Sequence, residues 1–60
     1  MARWFVEYHD EAGVNCSENF TDRVLHEALM DESNGFITIE AIYNVEDFSR
    51  NLVDEMLIRL

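Results

Sequence analysis

Residues 2–9, ARWFVEYH, alternate along their whole length. Ala2, Trp4, Val6 and Tyr8 fall on one side, and Arg3, Phe5, Glu7 and His9 on the other. A period of two with one heavier face predicts a half-buried β-strand. Residues 10–13, Asp-Glu-Ala-Gly, supply turn chemistry next. Residues 14–16 are then placed to pair briefly with the first strand as a hairpin.

Downstream the period changes to that of a helix. Phe20, Val24, Leu25, Ala28 and Leu29 recur at helical spacing and define a buried face. Asn15 with Glu18, or Ser17, offers N-cap chemistry at its start. Ser33, Asn34 and Gly35 close it, because Asn-Gly readily takes the left-handed conformation of a helix exit. A second strand is predicted over 36–43, with Ile37, Ile39, Ala41 and Tyr43 on one face and Phe36, Thr38, Glu40 and Ile42 on the other. Asn44 is expected to cap a second helix, with Asp47 favouring its N-terminus. Its apolar residues are Val45, Phe48, Leu52, Val53, Met56, Leu57 and Leu60. They cover about half the wheel, wider than the ~100° stripe of a surface helix. The expectation is one α+β domain over residues 1–60, in the order β-α-β-α, with two or three strands against two helices. A strand–helix–strand crossover favours parallel strands.

A 60-residue chain has a marginal core. Such chains usually add a disulfide, a metal or a partner subunit. Cys16 is the only cysteine, so no internal disulfide forms, and a lone thiol fits a reducing cytoplasm. The short sheet and the wide apolar arc of the last helix point to a homodimer. Neither a secretory signal pattern nor a membrane-length apolar run is expected: the start is Arg3, Trp4, Phe5, Val6 and then Glu7.

Charge excludes most partners. Thirteen acidic residues face four arginines, Arg3, Arg23, Arg50 and Arg59, for a net −9 without any lysine. Nucleic acid and anionic membranes attract the opposite sign. Hydrophobic residues at 48% make this a folding composition and not a disordered acidic tail.

Candidate chemistry is sparse, and no cofactor is expected. Cys16 with His9 or His26 is the one nucleophile–base combination, but Asp10, Glu11 and Glu18 nearby disfavour a thiolate. Asp22 and His26 have the i, i+4 spacing of a metal pair and equally of an ordinary surface pair; zinc needs more ligands than two scattered histidines give. Asp31, Ser33, Asn34 and Gly35 lack the acidic spacing of a calcium loop. No catalytic role is expected.

The carboxylates remain. Rows of them on helices space negative charge in rough imitation of the phosphates of duplex DNA, and they attract basic proteins, most of which hold nucleic acid. Asp31, Glu32, Asp47, Asn51, Asp54 and Ile58 are the expected contact residues, with Asp47, Asn51, Asp54 and Ile58 sharing one helical stripe. Ile58 or Phe36 is the expected apolar anchor.

The profile resembles the very small acidic proteins that phages make to block host defence or nucleic-acid enzymes, inhibitors of CRISPR complexes among them. The resemblance lies in size, charge and simplicity of fold; it covers no motif and assigns no residue a role. It implies an inhibitor covering a basic nucleic-acid-binding surface. The alternative is an acidic structural or dimerisation domain of a halophile-like protein, without inhibitory activity.

Overall fold

The computed structural model describes residues 2–57. The elements run β1 (Trp4–Asp10), β2 (Asn15–Phe20), α1 (Asp22–Ser33), β3 (Ile37–Asn44) and a single-turn α2 (Val53–Met56). The sheet order is β2-β1-β3 and both pairings are antiparallel. The chain is therefore the small α+β domain that its sequence predicts, with three strands and two helices.

β1 is the central strand. Trp4, Val6 and Tyr8 face the helices, and Val6 is fully buried. Its exit turn is held by Asp10, whose carboxylate accepts from the backbone N–H of Ala12 (2.9 Å) and of Val14 (3.0 Å). Gly13 takes φ +81° there, a conformation that glycine adopts without strain.

β2 is longer than predicted. It continues to Phe20, and neither Asn15 nor Ser17 caps a helix: Thr21 does, its hydroxyl accepting from the Val24 N–H at 3.2 Å. Pairing with β1 overrides the local capping pattern, because Trp4 lies opposite Phe20 and Tyr8 opposite Cys16. Phe20 joins the core from the strand. On α1, Leu25 and Ala28 are buried and Leu29 half-buried, whereas Val24 is 41% exposed. Gly35, at φ +82°, ends the helix with its N–H on Glu32 C=O and the Phe36 N–H on Asp31 C=O.

The predicted parallel pairing does not occur between β1 and β3. β2 and β3 each run antiparallel to β1, so they are parallel to one another. The strand–helix–strand crossover is β2-α1-β3, split by β1 between its strands. The faces predicted for β3 also change partway. Ala41 lies opposite Glu7 but Ile39 lies opposite Tyr8, so Glu40 is an extra residue in a bulge. The bulge reverses the alternation and puts both Ile39 and Ile42 into the core, each with no exposed surface. Ile42 therefore does not share a face with Phe5, and Phe36 is 55% exposed.

The largest departure is in residues 45–52, which are predicted as helix and form turns and irregular chain. Three short polar side chains capture the backbone. Asn44 accepts from the Glu46 N–H (2.8 Å), Asp47 from the Ser49 N–H (3.0 Å) and hydroxyl (2.5 Å), and Asn51 from the Val53 N–H (3.0 Å). Such bonds compete directly with helical ones. Phe48 thereby leaves the helix side and packs on the opposite face of the sheet, 5.9 Å from the Phe5 ring and 5.7 Å from the Tyr43 ring. Leu60, predicted on the same helix, lies outside the described residues.

The core is one cluster on one side of the sheet: Val6, Phe20, Ile39 and Ile42 from the strands, Leu25 and Ala28 from α1, and Val53 with Leu57 at the C-terminal end. Among the described residues no polar or charged side chain is buried, and no helix is long and apolar enough to cross a membrane.

Candidate partner-binding site

The acidic residues fall into two groups once the fold is known. Some are occupied in holding the structure. Asp10 organises the hairpin turn and Asp47 the turn at Ser49. The Ser49 hydroxyl and N–H hold the Asp47 carboxyl below the usual carboxylate range, with Arg50 adding to the effect. Stability from this contact is present at neutral pH and lost as pH falls through that lowered value. Glu32 reaches across from α1 to accept from the Ile39 N–H at 2.5 Å. Glu32→Ala should lower stability by about 1–3 kcal/mol, the cost of taking the acceptor from a part-buried donor; Glu32→Gln, which retains an acceptor, should lose less. Paired thermal melts of the two variants measure the difference.

Asn51 has three bonds: its Oδ1 accepts from the N–H groups of Ile42 (3.1 Å) and Val53, and its Nδ2 donates to Glu40 C=O (3.4 Å). Of the six residues expected to contact a partner, Glu32, Asp47 and Asn51 thus have structural tasks. The predicted stripe does not form, because α2 begins at Val53 and Asp47 lies in a turn before it. Asp31, at the end of α1, and Asp54, on α2, are exposed and accept no side-chain hydrogen bond among the described residues. Ile58 lies outside the described residues.

The second group of acids borders a groove between β2 and α1. Tyr8, Phe20 and Ala28 contribute to its floor, and Glu18, Glu27 and Asp31 line it with carboxylates, around a volume of ≈ 360 Å³. Glu27 is partnered by Arg23 at 3.5 Å, an exposed i, i+4 pair of small energetic weight. The Tyr8 hydroxyl donates to the Glu18 carboxylate. That bond, together with burial and the negative charge of Glu18, pushes the tyrosine above its ordinary range. Neutral Tyr8 therefore contributes stability through neutral pH, and the contribution is lost only under strongly alkaline conditions. Glu18 and Glu27 are not legible in the sequence as members of one surface, because a helix starting at an Asn15 or Ser17 cap puts Glu18 in its first turn instead of on a strand.

Among the described residues the fold separates Cys16 from His9. Cys16 shares the helix-facing side of the sheet with Tyr8, whereas His9, one residue along β1, projects from the opposite side and lies 3.4 Å from Glu40. Asp22 accepts from the Trp4 indole N–H (2.8 Å) and pairs with Arg3 (3.1 Å). Among the described residues no three His, Cys, Asp or Glu side chains converge as a metal-holding group.

Comparison with protein-family models, curated proteins and solved structures finds no match to this chain.

Proposed function

We propose that this chain is a small protein-binding inhibitor that covers a basic, nucleic-acid-binding surface of a host defence or nucleic-acid enzyme. It is of the anti-CRISPR type that phages encode, acts in the host cytoplasm, and catalyses no reaction. One observation carries this reading. All 13 acidic residues stay out of the core, and ion pairs among the described residues engage only Asp22, Glu27, Glu40 and Glu55. The remaining carboxylates at the surface give a field that attracts cationic partners and repels nucleic acid. Affinity for a basic groove then comes from arginine and lysine of the partner meeting Glu18, Glu27, Asp31 and Asp54.

One of the two motives for a homodimer is removed by the fold, because α2 is one turn and presents no wide apolar arc. The short sheet with an open edge remains. The test of function is capture from a nuclease-treated bacterial lysate on the immobilised chain. The expected result is retention of nucleic-acid-binding proteins at low salt, with release both by raised salt and by added duplex DNA. Retained proteins that duplex DNA leaves in place would contradict the reading. A halophile-type domain is distinguished by its melting curve, since it folds only in concentrated salt.

A further inference from the structure

The two edges of the sheet are treated differently. Along β3 outward backbone groups are taken at Ile39, Glu40 and Ile42: Ile39 N–H by Glu32, Ile42 N–H and Glu40 C=O by Asn51, and Ile42 C=O by the N–H of Leu52 at 2.7 Å. Along β2 they are not. Asp10 N–H donates to Val14 C=O, which sets the ladder so that even-numbered residues of β2 face β1. The N–H and C=O groups of Asn15, Ser17 and Asn19 therefore point away from the sheet, and no group among the described residues meets them. β2 has no proline, no lysine and no bulge to block an added strand, and its one charged residue, Glu18, faces the groove.

This open edge adjoins the acidic groove. A strand added to β2 places the residues opposite Cys16, Glu18 and Phe20 on the groove side, and those opposite Asn15, Ser17 and Asn19 on the helix-free side. Successive groove-side residues of such a strand stand ~6.8 Å apart, at ~3.4 Å per residue. Glu27 and Asp31 are four residues apart on α1, ~6 Å along its axis. The two spacings are similar, so an added strand running alongside α1 would bring neighbouring groove-side residues near neighbouring carboxylates.

We propose that the β2 edge, with the groove beside it, is a strand-addition site for an extended segment of a partner protein carrying arginine or lysine at alternate positions. This rests on the partner-binding reading above and names where and how the partner is held. Backbone hydrogen bonds to Asn15, Ser17 and Asn19 fix the register, and basic side chains enter between Glu18, Glu27 and Asp31. Charge selects this occupant over a second copy of the chain: self-pairing brings together two molecules of net −9 and two copies of the same acidic groove.

The probe is a nine-residue peptide alternating arginine and threonine, titrated into the intact chain at low salt. Amide exchange and chemical shifts are followed by NMR. Binding should protect the N–H groups of Asn15, Ser17 and Asn19. The same peptide N-methylated on the threonine amides keeps its charge but loses edge donors, and should bind about tenfold or more weakly, as expected for two or three lost hydrogen bonds. Ser17→Pro removes an outward N–H and places the ring on the outer edge, where proline is tolerated in strands. That variant should melt close to the parent and bind the peptide about as weakly as the methylated case. Equal affinity of the methylated and unmethylated peptides overturns strand addition while leaving an acidic binding surface in place. Failure of the arginine peptide to bind at all at low salt overturns both readings. Protection of the three amides that rises with chain concentration and needs no peptide assigns the edge to a second copy and overturns this occupant.

Discussion

Ile42→Ala should unfold this domain, or leave it folded only at low temperature. Ile42 has no exposed surface and lies opposite Val6, itself fully buried, on the central strand. Truncating a buried isoleucine to alanine typically costs about 2–5 kcal/mol, from lost transfer energy and the cavity left behind. A domain of this length has a total stability of about 3–9 kcal/mol, at ~0.05–0.15 kcal/mol per residue. One side chain is therefore comparable with the whole. The site has little scope to collapse, because both ends of the Ile42 backbone are held: its N–H by Asn51 and its C=O by Leu52 N–H. Each kcal/mol shifts the melting point of so small a domain by about 4–8 °C, so a fall of more than ~10 °C or a lost transition is expected. Phe48→Ala is the contrast. Phe48 is 55% exposed on the other face of the sheet, and its loss should lower the melting point far less. Comparable falls for the two variants would mean that the core is misplaced.

Asn51→Ala is the second large effect, although Asn51 is itself exposed. The substitution removes the acceptor of two part-buried backbone donors, the N–H groups of Ile42 and Val53, and a weaker bond to Glu40 C=O. A donor left without a partner away from water costs about 1–3 kcal/mol, so about 2–6 kcal/mol is expected for the two in sum. The loss also frees the edge of β3 and the start of α2 together. Asn51→Asp retains the Oδ1 acceptor and gives up only the bond to Glu40 C=O, so it should retain most of the stability. Chemical denaturation of the three proteins reads this directly. An Asn51→Ala midpoint equal to the parent would show that the turn is held by the packing of Leu52 and Val53 alone.

What was legible in the sequence follows from how each element is specified. β1 has a continuous alternation, and its period and facing were readable without a partner. The body and C-terminal stop of α1 were readable from Leu25, Ala28, Leu29 and Gly35. β2 was hidden because Ser17, Glu18 and Asn19 carry no apolar alternation; it is a strand because β1 pairs with it, and Asn15 with Glu18 imitates a cap meanwhile. The bulge at Glu40 is a property of two strands in register and leaves no mark in one of them. In residues 45–52 the apolar spacing fits a helix, but the side chains of Asn44, Asp47 and Asn51 bond nearby backbone N–H groups instead. The same residues explain the candidate site. Net charge was legible from composition, whereas the division of acids between structural bonds and a free surface required the fold. Asp31 and Asp54 stay on that surface, while Glu32, Asp47 and Asn51 have structural tasks.

A chain that occupies a basic surface in place of nucleic acid, as proposed above, competes with DNA for it. The most direct test is that competition: a protein captured from lysate is equilibrated with labelled duplex DNA while the concentration of the chain is raised. The DNA should be displaced, its apparent affinity should fall in proportion to the chain present, and the effect should weaken as salt rises. A stable ternary complex, with DNA and chain bound to the same molecule and DNA affinity unchanged, would contradict the proposal.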